Sequence, residues 1–232
     1  MKRYSGKLFC FSPPVMIATF FIEIGFALYT LWRYKLNAVT RLTALILVCL
    51  ALFQGAEYMV CEGALGLSSE GWSRLGFVSI TALPVLGLHL AIVLAGKKLP
   101  RLVIGAYASG IAFAAFFLLG HHAVSYEVCQ GNYVIFGIGA NLTWLYMLYY
   151  YGWLLLTMWL GATWAKLQKK KPVKRALEAL AIGYVLFLVP TTAVTVADPA
   201  ASAAIPSIMC GFAVVLAIAL VGWVIPVAKL RR

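Results

Sequence analysis

Apolar residues in this chain fall in long blocks, each ended by charge, proline or glycine, with few polar residues inside them. The hydrocarbon core of a bilayer is about 30 Å thick and takes roughly 20 residues of helix at 1.5 Å per residue. Seven blocks reach that length, at 15–32, 42–61, 75–96, 102–120, 142–165, 176–196 and 203–227. No stretch between them exceeds about 20 residues, too short for a fused kinase, cyclase or other soluble output module. The pattern predicts an all-α integral membrane protein, a single seven-transmembrane-helix bundle over residues 1–232. Met1-Lys2-Arg3 has the charge of a signal-peptide n-region, but no small-residue cleavage site follows the first block, so that block reads as a retained span.

Composition agrees. Hydrophobic residues make up 63% of the 232 and charged residues 11%, with a mean hydropathy of +0.93, where soluble domains hold roughly 45–50% and about 25%. A soluble fold, a disordered chain and a disulfide-rich secreted module are excluded. The net charge of +12 is laid out by side. Taking loops alternately, Arg33, Lys35, Arg41, Lys97, Lys98, Arg101, the six basic residues of the run 166–175, Lys229, Arg231 and Arg232 share one face, while Lys2, Arg3, Lys7 and Arg74 share the other. Lysine and arginine mark the cytoplasmic side, which predicts the N-terminus outside and the C-terminus cytoplasmic. The asymmetry explains the charge without a nucleic-acid partner. The run 166–175 reads as a stop signal, suited to anionic lipid headgroups, and Trp32, Trp72, Trp144, Trp164 and Trp223 fall near helix ends as interfacial residues.

Ionisable groups inside the blocks are few: Glu23, Glu57 and His89. Each would cost at least about 2.5–3.5 kcal/mol facing lipid at mid-bilayer, so all three should turn inward and are the first functional candidates. Counted from the outer helix ends, Glu57 lies roughly 5 Å deep, Glu23 about 12 Å and His89 about 21 Å, a ladder leading inward. A carboxyl at the depth of Glu23 stays ionised only if a cation or several donors compensate its desolvation. On the second helix Gln54, Glu57, Tyr58 and Cys61 follow i, i+3, i+4, i+7 and share one face. Thr19, Glu23 and Thr30 mark the first helix, and Thr143, Tyr146, Tyr150, Trp153 and Thr157 form an aromatic stripe on the fifth. Thr191 and Thr195 flank Pro190 on the sixth. Such groups also serve as interhelical glue at about 0.6 kcal/mol per hydrogen bond. An amide would suffice for glue, so the costlier carboxylate of Glu57 beside Gln54 points to function.

Cys10, Cys61 and Cys129 should lie at the outer face, with Cys49 and Cys210 inside helices. Three outer cysteines make one disulfide and one odd thiol. Cys61 with Cys129 would staple the second helix to the loop between the fourth and fifth, and Cys10 is an equal alternative. The same rim carries Cys10, His121, His122 and Cys129, with Glu57, Glu62 and Glu127, which are ligand types for Zn or Cu, although no His-x-x-x-His, Cys-x-x-Cys or His-Glu-x-x-His spacing occurs. The last block has no lysine for a retinal Schiff base. Gly-x-Ser-x-Gly is absent, as is the paired-histidine last helix of ceramidase-like and adiponectin-receptor-like hydrolases.

Cys10-Phe11-Ser12-Pro13 entering the first helix, Ile24-Gly25 within it and Leu52-Phe53-Gln54-Gly55-Ala56-Glu57 on the second resemble a family of short bacterial seven-helix membrane proteins of uncharacterised function. The likeness covers about the first quarter of the chain. It implies a prokaryotic inner-membrane location and no particular activity.

Three functions compete. The first is a membrane protein that binds a small ligand or cation in an outward-facing pocket between helices 1, 2, 3 and 5, for transport or sensing. There Gln54, Glu57 and Tyr58 would meet the ligand, Glu23 and His89 would handle protons, and Tyr146 and Tyr150 would form a wall. The second is an intramembrane enzyme on a lipid or quinone-like substrate, with Glu57 and His89 as acid and base. The third is a subunit of a larger membrane complex or homo-oligomer.

Overall fold

The computed structural model describes residues 13–62, 66–121, 123–129, 134–139, 142–197 and 205–230. Each of the seven blocks becomes a helix: α1 (Pro13–Arg33), α2 (Ala38–Glu62), α3 (Ser69–Ala95), α4 (Pro100–Leu119), α5 (Thr143–Leu167), α6 (Lys171–Ala197) and α7 (Ile205–Ala219). Five of them, α1 to α4 and α6, are long and apolar enough to cross a membrane. α5 has the length, at 25 residues, but carries four tyrosines and four tryptophans.

Local sequence explains the boundaries. Ser68 caps α3 by accepting from the Gly71 amide at 3.1 Å. Gly96 ends the same helix in the left-handed region at φ 69°, a conformation open to a residue without Cβ. Pro100 opens α4 at a position whose amide needs no partner.

Two elements differ from expectation. The block 203–227 is not one regular helix, because α7 ends at Ala219 and the chain continues through a π turn (Leu220–Val224) and a 3-10 turn (Ile225–Leu230). Pro226 lacks an amide and its ring crowds the carbonyl four residues earlier, so a regular ladder cannot run through it. The region between α4 and α5 is not a plain loop. It pairs as an antiparallel hairpin of β1 (Val124–Cys129) and β2 (Val134–Ile138), with Glu127 opposite Phe136 and Cys129 opposite Val134. Val124, Tyr126 and Val128 in one segment and Val134, Phe136 and Ile138 in the other each recur at the two-residue period of a strand, a signal that a search for 20-residue blocks passes over. The basic run 166–175 is likewise partly helical, since Lys171 to Arg175 begin α6.

α3 is the central helix, mostly buried and packed against α2, α4, α5 and α6, and α7 closes the ring against α1, α2 and α6. Gly87 permits the α3–α6 contact, because a Cβ there would overlap the Tyr184 hydroxyl. α4 lies outermost: only Ala106, Gly110 and Phe117 of its 20 residues are buried, while Ile104, Ile111 and Leu119 are exposed. A helix apolar all round needs lipid or protein over its free face.

The basic loops are tied together at one end. Asn37 accepts from the Thr40 amide (3.1 Å) and donates to the Ala228 carbonyl (2.9 Å), and Gln168 donates to the Ala95 carbonyl (3.2 Å). At the opposite end the hairpin packs on α2 and α3 through β1 and on α7 through β2.

Candidate functional site

Polar groups inside this bundle behave in two ways. Between α3, α4 and α5 they are matched. Thr81 Oγ1 donates to the Phe77 carbonyl (2.6 Å) and meets Tyr146 Oη at 3.1 Å, and Tyr149 Oη donates to the Thr81 carbonyl at 2.6 Å. That carbonyl lies beside the turn loosened by Pro84, where a neighbouring helix commonly supplies the missing donor. Trp153 donates to Ser109 Oγ (3.1 Å), which donates to the Ala106 carbonyl (2.8 Å). Around these bonds Phe77, Phe113, Phe117, Tyr146, Tyr149 and Tyr150 stack edge to face or in parallel, with ring centroids 4.6–6.0 Å apart. The stripe on α5 is tightly packed: Tyr146 and Tyr150 both belong to this cluster. Tyr149, which carries a 2.6 Å hydrogen bond between helices, was not legible as special in a run of three tyrosines.

The α1–α2–α3 flank is different. Glu23 and Glu57 are fully buried, and they lie close enough for their charges to interact. Helix direction brings them together. Side chains lean toward the N-terminus of their own helix, and α1 and α2 run in opposite directions, so Glu23 leans up as Glu57 leans down. Both Glu23 oxygens, and the hydroxyls of Thr30, Thr43 and Ser73, are buried with no hydrogen-bond partner among the described residues. Buried polar atoms are rarely left so. Their levels differ. Gly76 packs on Phe53 and Ala56, and Ser69 bonds the Val60 carbonyl, which sets Ser73 level with Glu57 near the hairpin end. Glu23 is mid-helix, and Thr30 and Thr43 sit near the basic end. Thr19 is not part of this set, since it bonds back to the Val15 and Met16 carbonyls at 3.0 and 2.9 Å. Thr157 and Thr191 are likewise satisfied within their own helices; the side chain of Thr195 lies outside the described residues.

A cavity of about 310 Å³ opens beside this pair, between α1 and α2 with Trp72 of α3. Its polar lining is Gln54, nearly fully buried, with Tyr58 and Trp72, and exposed Phe21 and Leu52 form its rim. This cavity is lined from α1, α2 and α3, three of the four helices expected to enclose a pocket, with no residue of α5.

His89 does not join the carboxyls. Its Nδ1 meets Tyr107 Oη of α4 at 3.1 Å, ring edge to face at 5.7 Å. It is 16 residues along α3 from Ser73, or about 24 Å at 1.5 Å per residue. Toward a metal, no three His, Cys, Asp or Glu side chains converge among the described residues. His121 is in an exposed turn; Cys10, His122 and the side chains of Glu127 and Cys129 lie outside the described residues. Cys61 is disulfide-bonded, with a partner outside the described side chains, and Cys49 is free.

The chain matches no protein-family model and no curated protein sequence. Fold and site define a class: an apolar helical bundle of membrane-crossing dimensions, with matched polar contacts on one flank and a buried carboxyl pair on the other.

Proposed function

We propose that this is a seven-span membrane protein, N-terminus outside and C-terminus cytoplasmic, that binds a proton or small cation at Glu23 and Glu57 for transport or sensing. The likeness of its first quarter to short bacterial seven-helix proteins favours a prokaryotic inner membrane. The observation that carries the reading is that, among the described residues, the orphaned buried oxygens lie on α1–α3, at levels from the hairpin end to the basic end. Two neighbouring carboxyls in low dielectric do not both ionise without a proton or cation between them. Hydroxyls at Ser73, Thr30 and Thr43 supply further oxygens of the type hard cations take. Positions stepping across the bundle favour transport over sensing. The acid–base enzyme has less support, with His89 about 24 Å from the level of Glu57.

The test is flux in proteoliposomes, with protons, Na⁺ and K⁺ as probes and the pH gradient varied. Flux above protein-free vesicles, lost in Glu23→Gln and in Glu57→Gln, is the expected result. Unchanged flux in Glu57→Gln, or none with any probe, overturns it. Orientation has its own check, because a cysteine placed at Lys170 should resist an impermeant thiol reagent in intact cells.

A further inference from the structure

A second cavity, of about 510 Å³, lies at the other end of the molecule, between α6 and the α7 segment that runs into the π turn. Its walls are the apolar side chains of Ile182, Leu186, Val215 and Ile218, all exposed, and Gly183 forms its floor. The glycine allows a close approach of α7, since a Cβ would come within 2.9 Å of Leu216 Cδ1 and force that side chain to move. Arg175 and Glu178 stand at the mouth with Trp223, which is carried by the π turn and is 54% exposed. Lys174 reaches Glu178 at 3.8 Å, and Arg175 has no ion-pair partner among the described residues. Exposed Lys171 and Lys174 share the first turn of α6 with Lys170 just before it, and the leading amides of the helix add the partial positive charge of a helix N-terminus.

We propose that this groove binds one anionic phospholipid, its phosphate on Arg175 and an acyl chain along Ile182, Leu186 and Ile218. Charge complementarity selects the occupant. A zwitterionic lipid would present the same chains to the groove, but its headgroup gains little from a basic cluster in which only Glu178 opposes, itself engaged by Lys174. Trp223 sits at headgroup level, where an amphipathic ring is favoured. The π turn has a consequence here, because the widened turn leaves the indole over the groove rather than in the core. The site is independent of Glu23 and Glu57, and rests only on the bundle lying in a bilayer.

Fluorescence quenching in vesicles tests it. The difference between wild type and Trp223→Phe isolates the Trp223 signal, and the probes are dibrominated phosphatidylglycerol and dibrominated phosphatidylcholine, each titrated over the same range of mole fractions in an unlabelled phosphatidylcholine host. The anionic probe should quench Trp223 at a lower mole fraction than the zwitterionic one. Arg175→Gln should shrink that preference about fivefold, the worth of one basic charge near an anionic surface. Arg175→Lys should keep most of it, and Glu23→Gln should leave it unchanged. Equal quenching by the two lipids in wild type would mean ordinary annular lipid and overturn the proposal, as would a preference that survives Arg175→Gln.

Discussion

Glu70 and Arg74 meet at 2.7 Å one turn apart on α3, and the guanidinium so held donates to the Phe117, Leu118 and Gly120 carbonyls at the end of α4. Helix ends leave carbonyls without intrahelical partners, and a cation there also meets the negative end of the helix dipole. Arg74, in the second turn of α3, therefore pins the outermost helix to the central one. Arg74→Met should destabilise the detergent-purified protein by about 1–3 kcal/mol. Glu70, half-exposed, contributes through a surface ion pair, so Glu70→Gln should cost no more than about 1 kcal/mol. Thermal melts of both variants decide whether the carbonyl contacts or the ion pair dominate; equal losses would assign the effect to the pair.

Tyr149 on α5 is glue. Tyr149→Phe removes the 2.6 Å bond to the Thr81 carbonyl and should cost about 0.6–1.7 kcal/mol, the range measured for hydrogen bonds between membrane helices. Ion flux should be unaffected, and so should flux in Tyr146→Phe. A variant of either tyrosine that melts normally but loses flux would return the aromatic stripe to the site.

Glu23 should show the opposite behaviour. Its carboxyl is buried with no hydrogen-bond partner among the described residues, so an apolar side chain of similar length relieves a desolvation cost. Glu23→Met is expected to raise stability by about 1–3 kcal/mol while abolishing flux, the trade-off typical of functional sites. A lower melting temperature in Glu23→Met would show that the carboxyl holds the bundle together.

Cys61 is expected to pair with Cys129. β1, which ends at Cys129, packs against α2, which carries Cys61 one residue from its end. Non-reducing peptide mapping should recover the 61–129 link, and reduction should lower stability by about 2–4 kcal/mol. Recovery of Cys61 linked to Cys10 would reassign the staple to the N-terminal segment.

Block length was enough to find the seven helices, with the start of α3 and the end of α7 the least well placed, because a 30 Å apolar slab imposes its thickness on the chain regardless of what packs against what. The same criterion passed over the hairpin, whose two-residue alternation is short and lies between blocks. It also treated 203–227 as uniform, although Pro226 was visible and its consequence for the helix ladder could have been read.

The candidate site was legible only in part. Glu23 and Glu57 stood out in the sequence because carboxylates are expensive in hydrocarbon, and that cost holds wherever in the bundle they face. Partnership is another matter. Whether a polar side chain finds a donor across a helix interface depends on the rotation and level of its neighbours. Tyr146 and Tyr150 therefore became packing, His89 went to Tyr107, and Ser73, Thr30 and Thr43 joined the carboxyl flank only once α1, α2 and α3 were set against one another. Composition determined the solvent, the number of helices and the rare charges. The tertiary structure decided which of those polar groups find partners across the helix interfaces.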